Sequence, residues 1–396
     1  VRASAFLYPW DVLGDPEAAA RTAALGVRQV TLASAYHSTR ALTPRHPGHR
    51  IVTAEHAAVL YPPDADRWAG RDLRPYPAGD WAPAGDDPYG RAAAALAGAG
   101  LEVHTWVVLA HNSRLGAEHP DTSVVNAYGD RYPWAPCIAR PAVRDHLTAL
   151  AAEAAVRPGA AGTELESCGW YGFAHLHAHD KVGGVALGDA AQYLMSLCFC
   201  PDCRNGYAAQ GLDAGELAAL VRRALEPVWS AGGSDAAGWP AVEKLLGAGP
   251  AAATLAWRTR AARALQEAAV GAVRAAAPPG FRVLLHADPA PYRCGANVGV
   301  DAGHLLGVAD GAVLPCTGGP AAREAVLAPF GPHRREGTVL AANLTVVSGM
   351  GGSPATLAAD AAHAASLGAT ELRLYHAGLA SDADLRTVTE QLAELG

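Results

Sequence analysis

Short β-branched or apolar runs alternate with Ala-rich helical runs along nearly all of the 396 residues, a pattern that calls for a parallel sheet with helical crossovers. The predicted strands are Ser4–Tyr8, Gln29–Ala33, Glu102–Val108, Gly162–Glu166, Arg282–His286, Ala312–Pro315, Val339–Asn343 and Glu371–Tyr375. Predicted helices between them include Pro16–Leu25, Tyr89–Ala99, Arg144–Ala155, Ala321–Ala328 and Pro354–Leu367, and Ala383–Leu395 closes the series. Eight βα units at this length predict an α/β fold, the TIM (β/α)8 barrel. A doubly wound open sheet is the alternative, but no Gly-x-Gly-x-x-Gly follows the first strand.

The expected organisation is one barrel domain over residues 1–396 with long insertions after strands 2 and 4. The first runs from Ser38 to about Asp87 and is rich in Pro, Asp and aromatics, a length more typical of functional loops. The second, Cys168 to Pro279, carries a cysteine group and two Ala/Leu/Arg helical stretches, and is expected to form a zinc-binding helical subdomain over about 168–279.

Composition narrows the function. Half the residues are hydrophobic, the formal charge is −7, and Lys and Arg form no run. A nucleic-acid or anionic-membrane partner would need a basic patch, so small-molecule chemistry leads. No run approaches the ~18 apolar residues of a membrane helix, and Val1 to Asp15 lacks signal-peptide features, so a cytoplasmic protein is expected. The Ala-rich helices suit either a monomer or a homo-oligomer.

Active sites of this barrel lie at the C-terminal strand ends, and those ends are rich in polar and aromatic residues. Strand 1 runs into Trp10 and Asp11, strand 2 into Tyr36 and His37, and strand 3 into His111 and Asn112. Strand 5 ends in His286 and Asp288, strand 7 in Asn343, and strand 8 in Tyr375 and His376. On strand 4, Glu164 and Glu166 share a parity and face the same side. Burial and mutual repulsion would raise one of them, as a general acid near neutral pH requires, unless one pairs with an Arg. Asp288 is the candidate second carboxylate across the barrel; two carboxylates ~5–10 Å apart would match glycosidic chemistry.

Directly after strand 4, Trp170, His175, His177, His179 and Lys181 form a rim segment. Aromatics beside polar donors suit a sugar, and imidazoles at alternate positions would also suit a metal. Cys198, Cys200 and Cys203 can converge on one Zn²⁺, with a fourth ligand from elsewhere completing a closed structural site. The odd total of seven cysteines argues against a disulfide framework.

The stretch Cys137-Ile-Ala-Arg-Pro141-Ala-Val-Arg144-Asp-His146, the strand ending in Glu166 and the group Cys198-Phe-Cys-Pro-Asp-Cys203-Arg204 together resemble the middle of glycoside hydrolase family 42 β-galactosidases and related hypothetical glycosyl-hydrolase families. The resemblance implies Cys137 as the fourth zinc ligand, with Cys168 as fallback, and Glu166 as proton donor. It spans about a sixth of the chain, Cys137 to Arg204. Two departures stand out: Leu165 precedes Glu166 where the family has Asn, and Leu340-Ala-Ala-Asn343-Leu-Thr345 offers no strand-7 Glu nucleophile. Asp288, Glu164 or the substrate itself would then supply the second group.

The expected function is cleavage of a glycosidic bond in a carbohydrate or glycoconjugate, with Glu166 as acid/base. A metal-dependent sugar isomerase, epimerase or lyase is one alternative, with a cation held by Glu166, His286, Asp288 and a rim His. The other is a non-catalytic carbohydrate-binding barrel.

Overall fold

The computed structural model describes residues 2–79, 87–173, 181–233 and 237–395. Eight parallel strands close on themselves: β1 (Arg2–Leu7), β2 (Gln29–Tyr36), β3 (Glu102–Val108), β4 (Ala160–Glu166), β5 (Arg282–Asp288), β6 (Gly311–Pro315), β7 (Val339–Thr345) and β8 (Glu371–Tyr375). Each pairs with its neighbours in sequence, and β1 pairs with both β2 and β8. The chain is therefore a TIM barrel, and all eight predicted strands are present.

An outer ring of helices follows the strands: α1 (Ala18–Ala24), α2 (Pro88–Gly98), α3 (Pro141–Ala155), α4 (Ala248–Ala276), α5 (Ala302–Val308), α6 (Pro320–Leu327), α7 (Leu357–Ser366) and α8 (Asp382–Glu394). Local chemistry sets their starts. Proline occupies the first turn of α2, α3 and α6, where its missing N–H costs nothing. Asp87, Asp301 and Ser381 cap α2, α5 and α8 by accepting from the backbone N–H of Gly90, His304 and Asp384. Outward strand residues such as Val30, Leu165, Leu285 and Leu340 are sealed under the helices.

The insertions hold more structure than the sequence suggested. After β2, Thr39–Leu42 and Ile51–Ala54 form an antiparallel hairpin, and Ala58–Val59 adds to the edge of β2. A second hairpin, Ser123–Val125 with Arg131–Pro136, lies between β3 and α3 and delivers Cys137. Between β4 and β5 the described residues form five α-helices rather than two: Asp189–Met195, Pro201–Ala208, Ala214–Ala231, Gly238–Leu246 and then α4, which packs on α3 as a barrel helix. No helix among the described residues is long and apolar enough to cross a membrane.

Candidate active site

Side chains alternate inward and outward along each strand, so Glu164 and Glu166 both face the lumen, but their surroundings differ. Glu164, fully buried, accepts from Arg373 Nε at 2.5 Å and from Thr31 Oγ1 at 3.1 Å, with His286 Nε2 at 3.6 Å. Burial pushes its carboxyl up, but the Arg373 charge and His286 outweigh that and hold it down at about 2. Arg373 also bonds Glu371 at 2.9 Å. The expected repulsion is thus answered at Glu164 by an ion pair, which removes it from proton transfer near neutral pH. His286, expected at the mouth, instead turns to this pair, its ring 5.7 Å from Phe6.

Glu166, 3% exposed, sits at the end of β4. Trp106 on β3 donates its indole N–H to Glu166 Oε2 at 2.7 Å, and among the described residues no cation pairs with this carboxyl. The phenols of Tyr8, Tyr36, Tyr171 and Tyr375 all lie within its field. Burial first, and these like charges second, push the four phenols above their usual range, so they stay neutral donors at physiological pH.

The phenols form a joined set. Tyr8 donates to the Tyr36 hydroxyl at 3.0 Å, leaving its own oxygen 3.1 Å from His376 Nδ1. Burial, and then His37, bring the His376 imidazole down to about 3, so it is neutral. Ser167 (φ 54°) and His376 (φ 61°) are the non-glycine residues with positive φ among those described. They directly follow Glu166 and Tyr375, so uncommon backbone geometry marks two strand ends of the same mouth.

The remaining predicted residues divide. Tyr36, His37, His111 and Tyr171 form a line along the rim, with ring spacings of 4.2 Å for Tyr36–His37, 4.9 Å for His37–His111 and 4.4 Å for His111–Tyr171. Trp10 stacks behind Tyr8 at 4.3 Å and is itself buried. Asp11 accepts the Tyr8 backbone N–H at 2.8 Å, and burial raises it to about 7 against that bond and Arg45. The backbone at Gly378 approaches it so closely that a β-carbon there would lie 2.0 Å from Asp11 Oδ2.

Asn112 accepts from the Leu115 N–H as the cap of a short helix, Ser113–Glu118, a structural use in place of the expected sugar contact. Trp170, expected to touch sugar, is instead buried, donating to the Arg258 carbonyl at 2.8 Å under that residue's guanidinium. Asp288, half-buried, accepts from the Ala290 N–H at 2.8 Å, and burial raises its carboxyl. Asn343 is buried on β7, Tyr375 is half-buried, and Lys181 is exposed. His175, His177 and His179 lie outside the described residues.

Four cysteines form a separate centre. Cys137, Cys198, Cys200 and Cys203 are buried with their sulfurs within 4.8 Å of one another. Cys137 Sγ lies 3.6 Å from both Cys200 Sγ and Cys203 Sγ. A tetrahedral centre with metal–sulfur bonds of about 2.3 Å has sulfur edges of about 3.8 Å, whereas a disulfide would be about 2.05 Å. The donor set therefore fits a thiophilic metal. Val125 and Cys200 give backbone N–H groups to Cys198 Sγ at 3.4 and 3.5 Å, and Cys200 starts the helix Pro201–Ala208. The fallback Cys168 stands apart, its thiol pushed up to about 12 by burial.

Trp106, Tyr171 and Ser167 lie around Glu166 although the sequence reading did not single them out. Trp106 was legible in principle: it shares the inward parity of β3 and is registered beside Glu164, one inward step below Glu166.

No family model matches the chain, and no curated protein matches it. Solved structures with a similar fold include glycoside hydrolases, at low identity. α-L-Fucosidase isoenzyme 2 from Paenibacillus thiaminolyticus aligns at 14% identity and TM-score 0.56, covering 100% of this chain and 49% of that one. The PgaB glycoside hydrolase domain from Bordetella bronchiseptica aligns at 14% and 0.54, covering 99% and 97%. A β-galactosidase from the psychrophilic Marinomonas ef1 aligns at 10% and 0.55, covering 100% and 59%. The chain thus spans about half the length of the fucosidase.

Proposed function

We propose that the chain is a glycoside hydrolase in which Glu166 is the general acid/base. The carrying observation is the isolation of Glu166 at the end of β4: one hydrogen bond from Trp106, a surround of neutral phenols, and no paired cation among the described residues. A carboxyl so placed, its Oε2 directed by Trp106, is positioned to serve a departing glycosidic oxygen as general acid. Trp106 fixes the Oε2 direction, and the phenols supply neutral hydrogen-bond donors that do not compete for the proton.

Asp288 is assigned the second carboxylate, since Glu164 is spent on Arg373. Its role is to stabilise the positive charge that develops at the sugar ring, or to activate the incoming water. The isomerase alternative has less support, because His286 faces Glu164 rather than Glu166 and Asp288. We assign the metal of the four-cysteine centre as structural Zn²⁺. It would tie the end of the 123–136 hairpin to the helix Pro201–Ala208, remote in role from proton transfer.

The test is turnover of a panel of aryl and natural glycosides by wild type, Glu166→Gln and Asp288→Asn, with zinc measured on the same samples. Loss of turnover in both variants at unchanged zinc supports the reading. Sugar binding without any turnover by wild type overturns it in favour of a binding barrel.

A further inference from the structure

The lumen of the barrel has two unlike sides. From β1, β2, β3 and β8 come Phe6, Tyr8, Tyr36, Trp106 and Tyr375, with Trp106 at 4.6 Å from both Phe6 and Tyr36. On the opposite side Leu284, Val313, Val339 and Ala341 make a small aliphatic cluster. Asn343 stands one inward position above Ala341, registered with Arg373, whose own side chain reaches Glu164 inside the barrel.

Asn343 is only 8% exposed, yet its Oδ1 has no hydrogen-bond partner among the described residues. A buried amide oxygen left unpaired is costly, and native structures rarely leave one without a purpose. Its position is informative, since it faces the aromatic side across the lumen. The charge registered beside it, Arg373, is already matched by Glu164 and Glu371. Two carboxylates thus already answer the Arg373 charge, which leaves no excess positive charge there to favour a carboxylate or sulfate on a substrate.

We infer that Asn343 is a specificity-determining residue that accepts a hydrogen bond from a ring hydroxyl of a neutral pyranoside whose apolar face turns to the aromatic side at Tyr375, the half-buried ring there. The inference rests on the glycosidase reading above. A pyranose presents both surfaces at once, C–H groups on a face and hydroxyl donors at its edge, and so complements a lumen with an aromatic side and an acceptor. A site built to bond a hydroxyl discriminates strongly against the analogue lacking it, because the buried acceptor is then stranded.

The experiment is equilibrium binding of neutral monosaccharides, each of their monodeoxy analogues, and a uronic acid, followed by tryptophan fluorescence. The proteins are wild type, Asn343→Ala, Asn343→Asp and, as the catalytic control, Glu166→Gln. Wild type is expected to bind one monosaccharide at least about tenfold more tightly than one of its monodeoxy analogues and than the uronic acid. Asn343→Ala should bind parent and analogue within about threefold of each other, and Asn343→Asp, which keeps an acceptor, should restore the discrimination. Thermal melting adds a readout that separates ligand recognition from support of the fold. Removing an unpartnered acceptor should leave the melting temperature of Asn343→Ala unchanged or higher, whereas a structural amide would lower it.

Discrimination that survives in Asn343→Ala, a lowered melting temperature in that variant, preference for the uronic acid, or no sugar binding by wild type would each overturn the inference. Turnover by the same proteins reports on the other reading. Sugar binding that depends on Asn343 without hydrolysis by wild type would contradict the glycosidase function while sustaining the specificity role.

Discussion

Trp106 on β3 donates its indole N–H to Glu166 on β4 across 2.7 Å, joining the largest fully buried side chain of the lumen to the carboxyl proposed to move the proton. Replacing Trp106 by Phe keeps most of the ring contacts and deletes that donor. The expected outcome is a fall in kcat of about tenfold or more, as for a lost charge-directed hydrogen bond. KM should change little, since the ring that packs at the site remains. Steady-state kinetics on a substrate that wild type hydrolyses checks this.

The Glu164–Arg373 pair beneath the mouth predicts a stability effect rather than a catalytic one. Arg373→Met should cost about 3–5 kcal/mol, because it strands a buried carboxylate. Glu164→Gln together with Arg373→Met should cost much less than the two single changes summed. Glu164 is held at about 2, below its unfolded value of about 4.3. Its stabilising contribution is therefore present above about pH 4.3 and lost as pH falls toward 2. Urea unfolding of the four members of the cycle, repeated at pH 7 and pH 3.5, measures both effects.

Two buried imidazoles act in the same direction at higher pH. His376 is lowered to about 3 by burial and then His37, and His146 to about 4 by burial. Both are neutral in the folded chain, while the unfolded chain takes up their protons below about pH 6.5. Stability should thus fall on acidification from pH 6.5, by up to about 1.4 kcal/mol per pH unit for each histidine. His146→Leu should flatten the slope between pH 6.5 and pH 4, as urea midpoints across that range would record.

The cysteine centre should hold one zinc per chain. Cys200→Ser is expected to lose most of the metal and to lower the melting temperature by several degrees or more, since metal binding is coupled to folding. Metal analysis with a thermal melt on the same preparation checks it. Zinc content unaffected by the substitution would contradict the assignment.

Much of the barrel was legible because two signals coincide in its strands. Apolar runs such as Val283–Leu285 and Val339–Ala342 are short and closely bounded, and Ala-rich segments between them carry helix starts at Pro88, Pro141 and Pro320. The mouth was half legible. Strand parity placed Glu164 and Glu166 inward, yet it could not reveal that Arg373, 209 residues on, neutralises the first and that Trp106 reaches the second. Trp170 and Asn112 misled for the same reason. A polar or aromatic residue just past a strand can turn into a cap or a helix interface, and sequence spacing does not distinguish those directions. The hairpin that delivers Cys137 was invisible because Ser123–Val125 is too short to carry a period.

The role of Glu166 is tested most directly by the dependence of Glu166→Gln on leaving-group acidity. If Glu166 protonates the departing oxygen, the variant should be slowed by about 10³-fold or more on an alkyl glycoside. On a dinitrophenyl glycoside, whose leaving group needs no proton, kcat/KM, which reports the bond-breaking step alone, should fall by less than about tenfold. Equal losses on both substrates, or full activity of Glu166→Gln on the alkyl glycoside, would contradict it.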